Sequence, residues 1–113
     1  MNKAVIYISG TMNETVDNMV VRVIERYCEK HGYEIAALLG ESSQSGMSMP
    51  MKYSFIGMAE VEDIDTVVTL SSAMVGTTDD EIMETIDLLA HYGITVETAK
   101  EDMSAYYDAL GSD

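Results

Sequence analysis

The chain has 113 residues, of which 47% are apolar and 23% are charged, a composition typical of one folded domain that excludes a disordered chain. Twenty acidic residues against six basic ones give a formal net charge of −14, and a field of that sign repels DNA, so we expect no DNA binding by this chain alone. No apolar run approaches the roughly 18 residues of a membrane span, and the single cysteine, Cys28, excludes a disulfide within the chain, so we expect a cytoplasmic protein.

The first half of the sequence alternates between strand and helix patterns. Residues 3–8 form a short apolar run rich in β-forming side chains, which predicts a buried strand. Asn13 is placed to cap a helix whose apolar residues recur at helical spacing, and Gly32 is a typical helix stop. Residues 33–39 predict a second strand, and residues 40–50, rich in Gly, Ser and Met, predict a loop.

The second half continues the same alternation. In chain order it predicts a short helix at residues 51–60, a strand at 66–70 and a loop at 71–78. A helix at residues 79–92, a strand at 94–98 and a final helical segment at 103–110 follow. Strands that alternate with helices imply βαβ units and a mostly parallel sheet. We therefore expect a single α/β domain over residues 1–113, a three-layer α/β/α sandwich with a four- or five-stranded sheet.

Two short motifs follow the first two predicted strands. The first reads Ile-Tyr-Ile-Ser-Gly-Thr at residues 6–11, and the second reads Glu-Ser-Ser-Gln-Ser-Gly at residues 41–46, followed by Met49–Pro50. They resemble the Ile-Tyr-x-Arg-x-Ser and Asp-x-x-x-Ser-Gly…Arg-Pro motifs of the serine recombinases, the resolvase and invertase family. Further segments extend the resemblance over nearly the whole chain, at residues 27–35, 65–68, 70–76 and 88–96. The resemblance implies the resolvase-like catalytic fold.

In that family a serine attacks a DNA phosphate, and several arginines hold the developing negative charge. The resemblance places Thr11 at the nucleophile position and Ser9 at the first arginine position, beside Tyr7 and Glu41. It places Met49 at the arginine before proline. We expect these family-equivalent catalytic positions to be vestigial, because losing one such donor costs roughly 10²- to 10³-fold in rate.

The remaining arginine positions of the family also hold no basic residue in this chain. They fall within residues 72–75, which contain no arginine. The only arginines of the chain, Arg22 and Arg26, lie in the middle of the first predicted helix and cannot take these roles by position. We therefore expect no DNA strand cleavage. The resemblance also leads us to expect neither a DNA-binding domain nor a long dimerisation helix within residues 1–113.

Three functional hypotheses follow. The leading one is a catalytically degenerate recombinase-like domain from a mobile element, which acts as a regulatory module through a protein partner or self-association. The second is a small anion- or metabolite-binding domain that uses Ser9, Gly10 and Thr11, because ligands bind between strand ends and helix N-termini in such folds. The third is a recombinase subunit whose basic partner supplies the missing charge. We expect no metal and no cofactor.

Other chemically capable residues have simpler explanations. Glu41 and Asp65 suggest an acidic rim near Thr11, while the acidic residues at 79–81 suit the positive end of a helix. Cys28 suits a small core position. His31 and His91 have no second ligand at metal spacing. Four methionines cluster in the loop and the short helix, where they form either an adaptable partner surface or flexible core filler, at positions Met47, Met49, Met51 and Met58.

Overall fold

The computed structural model describes residues 2–10, 13–42 and 46–111. The strands are β1 Lys3–Ser9, β2 Glu34–Glu41, β3 Thr66–Thr69 and β4 Thr95–Thr98. The helices are α1 Glu14–Lys30, α2 Met49–Glu62, α3 Asp79–Ala90 and α4 Ser104–Gly111, with one 3₁₀ turn at Ser72–Met74. No helix in these ranges combines the length and the apolar character that a bilayer crossing requires.

The strands of the described residues form one parallel sheet in the order β2-β1-β3-β4. Successive side chains of β1 point to opposite faces. Val5 and Tyr7 pack into a core with α2 and α3, whereas Ala4 and Ile6 pack against α1 on the other face. The expected three-layer α/β/α sandwich is therefore confirmed, with four strands in the part of the chain that the structure describes.

Side-chain caps fix the helix starts. The Asn13 carboxamide accepts the Val16 N–H at 3.1 Å, as the sequence predicted. Ser48 caps α2 and Thr78 caps α3 in the same way. Each cap orients one helix start at the edge of the sheet where the strands end, which is where α/β folds bind ligands.

The loop predicted for residues 40–50 is wrong at both ends. Gly40 belongs to β2, where a Cβ would lie 3.2 Å from the Ile8 side chain, so glycine suits this tight strand position. Glu41 ends the same strand. Met49 and Pro50 already belong to α2, because the first helical turn needs no N–H from proline. Gly40 therefore lies within a strand and Pro50 in the first turn of a helix, although both residue types had predicted a loop.

The sulfur-containing residues mostly fill the core. Cys28 lies on the buried face of α1, as expected, and burial raises the pKa of its thiol to about 11. Met47 is buried, and Met51 and Met58 pack against the same core as half-buried side chains. Only Met49 among the four clustered methionines is exposed. Core filling therefore accounts for three of them.

Candidate functional site

Tyr7 anchors the site from within the core. It lies in β1 on the face covered by α2, is fully buried, and packs edge-on against Phe55 with ring centroids 5.8 Å apart. Its ring is fixed by this packing, and its hydroxyl reaches the carboxyl end of the neighbouring strand. There it donates a hydrogen bond of 2.6 Å to the Glu41 carboxylate.

Glu41 is held by two strands and a helix start. It ends β2 in register with Ser9 of β1. One carboxylate oxygen accepts both the Tyr7 hydroxyl and the backbone N–H of Ser48, the latter at 2.9 Å. Ser48 is the N-cap of α2, so the negative charge lies at the positive end of that helix. Two of the residues named from the sequence, Tyr7 and Glu41, are therefore joined directly.

These contacts move both pKa values. Burial works to raise the pKa of Glu41, but the hydrogen bonds from Ser48 and Tyr7 outweigh it and hold this pKa below its usual value. Burial, followed by the hydrogen bond to Glu41, raises the pKa of the Tyr7 hydroxyl. The site therefore holds an ionised carboxylate and a neutral phenol at physiological pH.

Ser9 and Gly10 continue β1 into the next turn. Ser9 is buried, and its hydroxyl lies 3.4 Å from the Met74 carbonyl oxygen. Gly10 adopts a positive φ of 82° that suits glycine. Its N–H donates to the Glu41 carbonyl oxygen at 3.3 Å, so that donor is already engaged. Thr11, the predicted nucleophile position, lies outside the described residues.

The neighbouring loops close over this end of the sheet. Gly46 has a φ of +83°, and a Cβ there would lie 2.7 Å from both the Gly76 Cα and the Val75 carbonyl oxygen. Met47 donates its N–H to the same Val75 oxygen at 3.1 Å. Val75 is itself buried in the core, and the Ser72 hydroxyl bonds to Glu101. The segment at 72–75 therefore serves packing and turn contacts.

All six basic residues of the sequence fall within the described ranges. Lys3 lies near Glu34 at the opposite end of the sheet, with its ammonium 3.9 Å from that carboxylate. Arg22 and Arg26 are exposed on α1, which covers the other face. None of the six forms a described hydrogen bond or ion pair with Tyr7, Ser9 or Glu41.

The predictions for two acidic residues, Asp65 and Glu81, have different outcomes. Asp65 precedes β3, and its backbone bonds to Lys3 and Thr95 at the amino ends of their strands, so it does not join Glu41 in one rim. The error has a simple cause, since a residue that opens a parallel strand lies at the opposite edge from one that closes it. Glu81 accepts the Thr77 N–H and hydroxyl, both at 2.7 Å, which confirms its predicted place at a helix start.

A second carboxylate cluster was not predicted. Glu97 of β4 points toward α1 and accepts the Tyr27 hydroxyl at 2.6 Å and the Tyr33 hydroxyl at 2.8 and 2.9 Å. Burial and the bond to Glu97 raise the pKa of Tyr33 to about 12. Glu97 also lines a cavity of about 530 Å³ beside α4. A lone acid within a short β-forming run was the only sequence signal for it.

No family model matches the sequence, and no curated protein sequence does either. Solved structures do resemble the fold. The N-terminal catalytic domain of TP901-1 integrase matches with a TM-score of 0.73 and 17% identity, over 97% of this chain and 88% of that one. The C-terminal catalytic domain of ISC1926 TnpA, an IS607-like serine recombinase, matches with a TM-score of 0.71 and 15% identity, over 96% and 77% of the two chains.

A resolvase family site-specific recombinase from Streptococcus pneumoniae gives a similar result. Its TM-score is 0.71 at 10% identity, over 98% of this chain and 87% of that one. Identities this low carry the fold alone, and the fold agrees with the one that the sequence motifs implied. The chain has the three-layer fold of serine-recombinase catalytic domains.

Proposed function

We propose that this chain is a recombinase-like domain that does not cleave DNA and acts instead by contact with a partner protein. One observation carries the proposal: among the described residues, no basic side chain forms a hydrogen bond or an ion pair with Tyr7, Ser9 or Glu41, which meet at the carboxyl end of the sheet. A phosphoryl transition state gathers negative charge and needs cationic donors fixed around it. Here the Glu41 carboxylate takes neutral donors instead.

The residues at the family's arginine positions support the same proposal. Ser9 is buried against Met74, and Val75 is part of the core. Met49 is exposed at the start of α2. The net charge of −14 adds long-range repulsion of a nucleic acid. With roughly 10²- to 10³-fold lost per missing donor, residual cleavage falls below detection.

An exposed apolar stripe on α2 supports the protein-contact part. Met49, Tyr53, Gly57 and Val61 recur every four residues, and Tyr53 and Val61 are 60% and 82% exposed. A solvent-facing helix stripe is ordinarily polar. Exposed aromatic and apolar side chains of this kind are enriched where proteins meet.

The proposal is tested by incubating the protein with supercoiled plasmid and with a labelled duplex oligonucleotide, followed by denaturing electrophoresis. We expect no DNA label to migrate with the protein. An adduct that is lost in Thr11→Val but kept in the control Thr15→Val would overturn the proposal. A serine recombinase with its own site serves as the positive control. Adding that recombinase as a basic partner tests the subunit hypothesis, and we expect no adduct on this chain there either.

A further inference from the structure

The two edge strands of the sheet, β4 and β2, differ in whether their outward backbone groups are covered. β4 is four residues long, and the Tyr107 hydroxyl of α4 accepts the Val96 N–H at 2.7 Å while lying 3.4 Å from the Val96 carbonyl oxygen. A side chain thus occupies the outward backbone groups in the middle of β4. This is one way in which proteins protect an edge from pairing with another strand.

β2 has no such cover in the described part of the chain. It is eight residues long, and its described backbone partners belong to β1 and to Asn2 and Gly10, the residues that flank β1. Ile35 and Leu38 are 41% and 51% exposed on the α1 face. The strand contains no Lys and no Pro, two residues that commonly block edges.

One irregularity limits the part of β2 that can pair. The register with β1 shifts at Ala36, because Ile35 lies opposite Ala4 while Ala37 lies opposite Val5. A bulge of this type disturbs pairing locally. Residues 37–41 keep a regular register with β1 and form the stretch on which another strand can add.

The charge of the chain indicates what kind of strand binds beside β2. Glu34 and Glu41 stand at the two ends of β2, and the whole chain carries −14. A second copy would add a further −14 and would be repelled by the first. A segment with Lys or Arg at its ends is instead attracted by the net negative charge of the chain.

We propose that β2 is a docking edge for an extended, basic-ended segment of a partner protein, which adds as a fifth strand beside residues 37–41. Main-chain hydrogen bonds give the affinity, and apolar side chains of the segment cover Ile35 and Leu38. This inference rests on the proposed role in protein contact.

The test uses fluorescent seven-residue peptides of alternating Val and Thr, one with Lys at both ends and one with Glu at both ends. We expect the Lys-ended peptide to raise anisotropy saturably and the Glu-ended peptide to bind at least about tenfold more weakly. Leu38→Lys should weaken binding of the Lys-ended peptide about tenfold, since it removes apolar contact and adds like charge. Tyr92→Lys adds the same charge at an exposed position after α3, away from β2 and from the α2 stripe, and should change binding by less than about twofold.

A second measurement does not depend on either variant. In the unmodified ¹⁵N-labelled protein, amide signals of residues 37–41 should shift with the Lys-ended peptide, while those of β4 should not. Equal binding of both peptides, no binding, or shifts confined to α2 would overturn the docking edge. A concentration-dependent dimer lost in Leu38→Lys would replace the partner segment with a second copy and overturn the assignment. These outcomes leave the DNA-adduct result untouched, so failure here is distinguishable from failure of the proposed function.

Discussion

Two tyrosine–carboxylate clusters lie on opposite faces of the same sheet, and they are built differently. Glu41 accepts a fully buried phenol and a backbone N–H at a helix start. Glu97 accepts two partly exposed phenols and borders an open cavity. The first carboxylate ties β1, β2 and α2 together, whereas the second ties α1 to the edge strand β4. The comparison shows that phenols can satisfy a carboxylate without a cation, and that the Glu41 cluster adds a backbone donor that the Glu97 cluster does not use among the described contacts.

The largest expected effect comes from the loop that closes the Glu41 side. Gly46→Ala places a methyl group 2.7 Å from the Gly76 Cα at a positive φ, so it should lower the free energy of unfolding by about 2–4 kcal/mol. Gly57→Ala is the matched control, because its Cβ meets nothing within 4 Å. It should stabilise α2 by about 0.5–1 kcal/mol. Urea unfolding of both variants measures the difference, and equal effects would show that the loop is not closely packed.

Removing each carboxylate sharpens the comparison. Glu41→Ala leaves the buried Tyr7 hydroxyl and the Ser48 N–H without their acceptor, so we expect a loss of about 2–3 kcal/mol. Glu97→Ala leaves Tyr27 and Tyr33, whose hydroxyls can turn to water, so we expect about 1 kcal/mol. Denaturant unfolding at pH 7 measures both. A larger loss for Glu97→Ala would reverse the proposed ranking of the clusters.

Lowering the pH should reduce the stability that the Glu41 cluster contributes to the fold. The folded-state pKa of Glu41 lies below its ordinary value of 4.5, so its contribution is fully present above that pH and is lost as pH falls through the folded pKa. Tyr7→Phe removes one of the donors that lower this pKa, so stability should depend less steeply on pH in this range. Unfolding midpoints between pH 5 and pH 3 measure the slope; Tyr53→Phe, an exposed tyrosine on α2, is the control. An unchanged slope in Tyr7→Phe would contradict the assignment.

The smallest expected effect on stability comes from the Tyr33–Glu97 cluster, on the α1 face of the sheet, at high pH. The pKa of Tyr33 is raised from 10.0 to about 12. The unfolded chain therefore ionises first, and the contribution of Tyr33 is present below about pH 10 and lost as pH rises through about 12. Tyr33→Phe should lose stability more slowly over this interval, as measured by absorbance-monitored unfolding. Tyr92→Phe, an exposed tyrosine after α3, should behave like the parent protein.

The fold was predictable because local patterns carried it. The buried run of β1, the Asn13 cap and the acidic start of α3 each appear within a few adjacent residues. The boundary of β2 was not predictable, because Gly40 is suited to its position by contact with Ile8 on another strand. Local propensity cannot register such a contact.

The candidate site was predictable only in part. The motifs named both Tyr7 and Glu41, and the structure adds the hydrogen bond between them and Ser48 as the second donor. Asp65 was misplaced, because strand direction decides which edge a flanking residue joins. The Glu97 cluster joins residues 64 and 70 positions apart, which no short pattern encodes.

The most direct measurement of the central claim is an amide NMR titration of the ¹⁵N-labelled protein with inorganic phosphate and with a short DNA duplex. The claim is that the strand-end site is satisfied by its own hydrogen bonds and does not bind phosphate. The Ser48 and Gly10 amide signals should stay unchanged in both titrations, because their N–H groups already donate to Glu41. Saturable shifts of these two amides with either ligand would contradict the claim.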